Sequence, residues 1–130
     1  MKALAAYQQS KTLTFDTVKL FEELYMKLAQ QCEEMLSCRA KGDFERLGAI
    51  VDRALLTLGL MDQQIDLSKN VEIGARILHL HRFLFRALVS VKLDPSGPAL
   101  DGLGNVFVEM AGIFAAMANP GPEKPGQKQA

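Results

Sequence analysis

Apolar residues recur at alternating three- and four-residue spacing in four separate stretches of this chain. Because an α-helix makes one turn every 3.6 residues, such spacing places each set along one helix face. Four apolar faces can bury one another, which predicts an all-α fold: an antiparallel up-down-up-down four-helix bundle. The four sets are Val18, Phe21, Tyr25, Leu28, Cys32 and Met35; Leu47, Val51, Ala54, Leu58, Met61 and Ile65; Ile73, Ile77, Leu80, Leu84, Leu88 and Val91; and Leu100, Leu103, Phe107, Met110, Phe114 and Met117.

Capping residues indicate where the first two helices begin and end. Thr14 is the predicted N-cap of a helix over residues 15–41. Gly42 suits a left-handed C-terminal turn, and Asp43 suits the next N-cap. The second helix is expected over residues 44–66.

The rest of the chain divides in the same way. Asn70 is the predicted cap of a third helix ending near Lys92, and a Pro- and Gly-containing loop separates it from a fourth helix ending near Asn119. We therefore expect an N-terminal extension over residues 1–13 and the bundle over 14–119. Residues 120–130 have almost nothing to bury and are expected to form a disordered tail.

Composition excludes several classes of partner. The chain carries 15 acidic and 15 basic residues, so no charge imbalance favours nucleic acid or an anionic membrane. Residues 99–119 have the length of a membrane span, but Asp101, Asn105 and Glu109 fall on one face, which indicates an amphipathic helix and no membrane insertion. Cys32 and Cys38 are expected to be reduced thiols in a cytoplasmic protein.

No catalytic, metal or cofactor constellation emerges from the spacing of the reactive residues. His79 and His81 lie about 200° apart around a helix and cannot chelate one metal together. His81 adjoins the third apolar face and is expected to be packed, whereas His79 points outward and leaves phosphoryl transfer open as an alternative. Arg82 and Arg86 form a mildly repulsive i, i+4 pair that we expect to be solvated unless an acidic partner approaches.

Apolar residues also occur at the edges of the predicted faces, beyond the needs of a four-helix core. Surplus helical apolar surface on a small protein indicates that another chain is held there. The alternative is that wide apolar faces simply fill the core. The predicted partner-binding residues are Leu20 and Leu24 on the first helix, Leu78, Phe83, Phe85 and Val89 on the third, and Val106 and Ile113 on the fourth.

Several short stretches together resemble the flagellin-specific export chaperone family, FliS. The resemblance runs over about residues 4–92 and depends on the order and spacing of the stretches. This chain departs from the family at three places. The family tends to have Leu-Tyr-Asp-Tyr at residues 80–83 and two glycines at residues 70–71. It also tends to have a tryptophan near the end of the last helix, and this chain contains no tryptophan. The matching stretches are Ala6-Tyr7-Gln8-Gln9-Ser10, Leu24-Tyr25, Asp43-Phe44-Glu45-Arg46, Arg53-Ala54, Ile65-Asp66, Lys69-Asn70, Glu72-Ile73, Leu80-His81-Arg82-Phe83 and Leu88.

This resemblance implies a cytosolic chaperone with no active site. It would bind the disordered C-terminal segment of flagellin, prevent premature polymerisation and deliver the segment to the flagellar export gate. A histidine phosphotransfer protein using His79 and a self-associating structural bundle, such as a homodimer, remain as alternatives.

The segment before the first helix has apolar residues but no strong helical periodicity. Leu4, Tyr7 and Leu13 are predicted to fold back over part of the client groove as a plug. The alternative is that Tyr7 pins the start of the first helix as a hydrophobic staple.

Overall fold

The structure, a computed structural model, describes residues 14–66 and 71–118. These residues form four α-helices, and no strand occurs among them, so the predicted fold class is confirmed. The predicted plug residues Leu4, Tyr7 and Leu13, the Asn70 cap and the tail lie outside the described residues and stay predictions. The helices are α1 (Phe15–Lys41), α2 (Phe44–Asp62), α3 (Val71–Leu93) and α4 (Leu103–Ala118), with a 3-10 turn, Pro98–Leu100, between α3 and α4.

Polar contacts show that α3 runs antiparallel to α2. Lys92 Nζ donates to Asp52 Oδ1 at 2.5 Å, and at the other end of the pair His81 Nδ1 lies 2.5 Å from Asp62 Oδ1. Later residues of α3 therefore lie beside earlier residues of α2, as expected for antiparallel helices.

The same antiparallel relation holds between α4 and α1. Gly104 lies so close to α1 that a Cβ atom there would be 3.3 Å from the Cβ of Cys32. Ten residues later, the ring of Phe114 packs against Phe21, with ring centroids 5.7 Å apart. Together with the short α1–α2 turn, these contacts give the predicted up-down-up-down order.

Local capping explains the bounds of α1 and the start of α2. The Thr14 hydroxyl accepts a hydrogen bond from the Thr17 amide at 3.1 Å. Gly42 adopts the left-handed conformation at φ +73°, where a side chain would be strained. Asp43 then accepts from the Arg46 amide at 3.2 Å. The three caps predicted from the sequence are confirmed.

The predicted end of α2 at Asp66 is wrong, because the helix ends four residues earlier at Asp62. The amides of Gln64 and Ile65 donate to carbonyls only three residues back, those of Met61 and Asp62. Such bonds tighten the last turn and direct the chain out of the helix.

The start of α4 also differs from the sequence prediction, which placed Leu100 in the same helix as Leu103. Gly102, at φ +78°, separates the two, although Leu100 is still buried from the 3-10 turn. Arg39 near the end of α1 holds this connection, since its Nη2 lies 2.9 Å from Asp101 Oδ1.

Burial of the predicted apolar faces is uneven. All six residues of the α1 face are buried, and the α2 face is buried up to Met61. The first half of the α3 face is only half-buried, at Ile73, Ile77 and Leu80. The core therefore lies nearer to α1 than to α3.

One described segment, Pro98–Ala118, is long and apolar enough to cross a membrane by length and composition, with a mean hydropathy of 1.3. Core helices of globular proteins meet the same criterion. Leu103, Phe107 and Phe114 of this segment are buried against the other helices, and 28% of the residues in its 18-residue apolar window are buried.

Candidate partner-binding surface

None of the eight predicted partner-binding side chains is fully buried. The most exposed are Phe83 at 62% and Ile113 at 54%, followed by Leu20 and Phe85 at 42%. The remaining four are half-buried: Leu24, Leu78, Val89 and Val106. The alternative that these side chains only fill the core therefore does not hold for the four exposed members.

The two predicted residues of α1 lie on its α2 side. Ala29 faces α4, since a Cβ atom on Gly104 would approach the Ala29 carbonyl oxygen to 3.8 Å. Leu20 is nine residues from Ala29, which is half a turn around the helix. Leu20 and its neighbour Leu24 thus form what we call the α1–α2 patch.

The predicted residues of α3 separate onto two sides of that helix. Lys92 contacts α2, and Phe85 lies seven residues away, nearly two full turns, so it faces the same side. Leu78 and Val89 lie close to the same line and complete the α2–α3 patch. Phe83 is nine residues from Lys92 and therefore lies on the opposite side of α3.

The predicted residues of α4 face away from α1. Ile113 is nine residues from Gly104, the α4 residue that contacts α1, and so lies half a turn from that contact. Val106 lies close to the same side. We group them with Phe83 as the α3–α4 patch, although α3 and α4 make few direct contacts. The eight residues are therefore distributed over three sides of the bundle and do not line a single pocket.

Additional exposed apolar residues have no role in the sequence prediction. Met26, Leu36 and Val108 border a cleft of about 290 Å³ between α1 and α4, and Leu56 and Leu60 are exposed on α2. Periodicity shows only that such residues lie off the core face. It does not show which of them border a depression, because that depends on how the helices pack.

A buried hydrogen-bond network joins three helices at the centre of the bundle. The ring of His81, only 1% exposed, lies with Nε2 2.5 Å from the Tyr25 hydroxyl oxygen and Nδ1 2.5 Å from Asp62 Oδ1. The Asp62 carboxylate can only accept, so Nδ1 carries the hydrogen in the neutral ring and Nε2 accepts from Tyr25. The expectation that His81 is packed is confirmed, but its two partners were not predicted.

Burial sets the protonation state of this network. It lowers the pKa of His81 below the ordinary value of 6.5, and the hydrogen bond and charge of Asp62 offset this only in part. Aromatic packing encloses the ring, since the centroid of Tyr25 lies 5.7 Å away and that of Phe21 lies 6.2 Å away. A neutral imidazole with both nitrogens bonded has a structural role in this position.

Reactive side chains elsewhere are either dispersed or inert. Within residues 14–66 and 71–118, no group of three or more His, Cys, Asp and Glu could hold a metal ion. Burial raises the pKa of the Cys32 thiol to about 12, and Cys38 is also buried and free. His79 is exposed on α3. The described surface offers exposed apolar and charged side chains.

The comparison with known proteins gives one family. The model of the family described as flagellar protein FliS matches residues 1–120, which includes all four helices. No match was found among curated proteins or among solved structures. With this match over nearly the whole length and a four-helix architecture, the chain belongs to the FliS family of flagellar export chaperones.

Proposed function

We propose that this chain is a cytoplasmic chaperone for flagellin that binds its disordered C-terminal segment, prevents premature polymerisation and presents it to the export gate. The observation that carries the proposal is the exposure of large apolar side chains on three sides of the four-helix bundle. Phe83, Phe85, Leu20 and Ile113 are all more than two-fifths exposed.

The distribution of these patches suits a client that is disordered before it binds. A segment that orders only on binding loses conformational entropy at that moment, so its contact surface has to be large. Patches distributed around α1, α3 and α4 suit a chain that wraps the bundle as short amphipathic helices. A pocket for a small ligand would instead concentrate its apolar residues in one concavity.

The test is titration calorimetry of the full chain against the C-terminal segment of the source organism's flagellin. Phe83→Ser and Phe85→Ser are expected to weaken binding at least about tenfold, or about 1.4 kcal/mol. Phe44→Ser is the matched control, because Phe44 is similarly exposed, at 45%, but lies at the start of α2 outside all three patches. It should change affinity less than about twofold.

Circular dichroism separates binding from folding in these variants. Melting temperatures within a few degrees of the wild type are expected, since Phe83 is 62% and Phe85 is 42% exposed. If wild-type protein fails to bind the flagellin segment, or if the control weakens binding as much as the patch variants do, the proposed function is contradicted.

Self-association through the same patches is the competing use of this surface. It predicts a mass that rises with concentration when no client is present, which sedimentation velocity measures directly. A monomer that forms a one-to-one complex with the flagellin segment supports the chaperone role, whereas a client-independent dimer that blocks the segment supports the structural alternative.

A further inference from the structure

The outer face of α3 carries a continuous exposed line of residues. These residues follow one another at spacings of four and three, the pattern by which one helix contacts a second helix lying along it. We call this line the outer seam of α3. Its members, all exposed, are Glu72, Arg76, His79, Phe83, Arg86, Ser90 and Leu93.

Positive charge on this seam is not neutralised within the described part of the chain. Arg76 pairs with Glu72 at 2.9 Å, so these two cancel. Arg82, beside the seam, and Arg86, within it, are exposed, and neither makes an ion pair with any residue in the described ranges. Their i, i+4 spacing makes the pair mildly repulsive.

Apolar surface lies to one side of these cations, because Arg82 and Arg86 lie about 100° and about 60° around the helix from Phe83 in the same direction. Phe83, next to Arg82, is 62% exposed, and Leu93 at the end of the seam is 80% exposed. Aromatic and Arg side chains are the types enriched among residues that dominate binding energy at protein interfaces. An occupant that complements this face needs an apolar stripe with negative charge along one flank.

We infer that the outer seam of α3 binds an amphipathic helical segment of the client that carries acidic side chains beside its apolar stripe. This inference rests on the proposed function and specifies the chemistry of the client. Phe83 packs against the apolar stripe, and the guanidinium groups of Arg82 and Arg86 donate to the flanking carboxylates.

An anionic membrane fits the same charges less well. Segments that bind anionic lipid typically combine about four to eight Lys or Arg residues. On this face of α3, Arg82 and Arg86 are the arginines that make no ion pair with a described residue, and the whole chain is neutral, with 15 acidic and 15 basic residues. Two planar guanidiniums along one flank of an exposed ring match a helical peptide better than a lipid surface.

The test compares two versions of the C-terminal segment of the source organism's flagellin, the natural one and one with every Asp and Glu changed to Asn and Gln. Full-length protein carrying both Arg82→Glu and Arg86→Glu should bind the natural segment at least about tenfold more weakly than the wild type. It should bind the neutralised segment within about twofold of the wild type. The affinity of the wild type for the natural segment should also fall between about 50 and 300 mM salt.

Arg53→Glu is the matched control. Arg53 is exposed on α2 and lies nine residues, or half a turn, from Asp62, which contacts α3. The Arg53→Glu variant should therefore change affinity less than about twofold. A milder double variant, Arg82→Gln with Arg86→Gln, removes the charges without reversing them and should lie between the wild type and the reversed form. Circular dichroism checks that each variant is folded.

Equal binding of the natural segment by wild type and the reversed double variant overturns the inference while leaving the proposed function standing. Failure of wild type to bind the natural segment overturns both. If the double variant loses binding only to vesicles of phosphatidylglycerol and keeps its affinity for the segment, the seam is a lipid surface and the inference is wrong.

Discussion

α1 and α3 have similar apolar periodicity but very different surroundings. Every residue of the α1 face is buried, because α2 and α4 pack on its two sides and the ring of His81 closes the centre. α3 packs mainly on α2 and the 3-10 turn, its first half stays half-buried, and Phe83 and Phe85 are exposed. α1 therefore organises the core through its buried face, whereas α3 buries less of its apolar face and exposes two large aromatic side chains.

The largest expected contrast is between two phenylalanines on α4 and α3. Phe107, with no exposed surface, packs in the core, so Phe107→Ala should cost about 3–5 kcal/mol of unfolding free energy. Phe83→Ala should cost less than about 1 kcal/mol because most of its side chain is already in water. Urea unfolding measures both, and similar losses for the two variants would break the distinction between core and client surface.

The next contrast concerns the link between α1 and α3. Tyr25→Phe removes the hydroxyl that donates to His81 Nε2 and leaves that buried nitrogen without this donor. Such a change should cost about 1–3 kcal/mol. A thermal or urea melt indistinguishable from wild type would show that the network does not fix α3 to α1.

Smaller changes in unfolding free energy, opposite in sign to each other, are expected on replacing two glycines near the α1–α2 turn. Gly42→Ala should destabilise by about 1 kcal/mol, because φ there is +73°. Gly48→Ala should stabilise by about 0.5–1 kcal/mol, since it lies inside α2 and no atom lies within 4 Å of the added Cβ. Chemical denaturation of both variants checks this, and destabilisation by both would show that α2 has no room for a side chain at Gly48.

The smallest expected effect is a pH dependence from His81. Burial lowers its pKa below 6.5 in the folded protein, so as the pH falls the unfolded chain takes up this proton first. The stability linked to His81 is present above pH 6.5 and is lost as the pH falls from there towards the folded value.

Two histidine variants isolate this contribution in urea unfolding between about pH 7.5 and pH 5.5. His81→Gln should reduce the loss of stability on acidification, whereas His79→Gln, at an exposed position, should leave it unchanged. If the two variants behave alike, the pH dependence arises elsewhere in the molecule.

Sequence reasoning succeeded where the deciding interactions are local. The bounds of α1 follow from Thr14 and Gly42, whose capping interactions involve neighbours within a few residues. The end of α2 at Asp62 and the break at Gly102 differ from the sequence prediction, and at both points the chain also makes long-range contacts, Asp62 with His81 and Asp101 with Arg39. The central network joins positions 56 and 19 residues apart, a separation that periodicity does not detect.

The candidate surface was predictable to a similar degree. Helical phase placed Phe83 and Phe85 off the core face, and both are exposed. Their assignment to different patches required knowing that Lys92 contacts Asp52, which fixes the side of α3 that faces α2. The sequence does not show that residues such as Met26 border a cleft, because the cleft forms only where α1 and α4 pack together.

Hydrogen exchange of the full chain, with and without the flagellin C-terminal segment, tests most directly whether α3 contacts the client while the buried face of α1 serves as the scaffold. We expect exchange across α3 to slow on binding, together with the part of α4 around Ile113, while the amides of α1 that face the core change little. A complex that forms with unchanged exchange throughout α3 would contradict this division of roles.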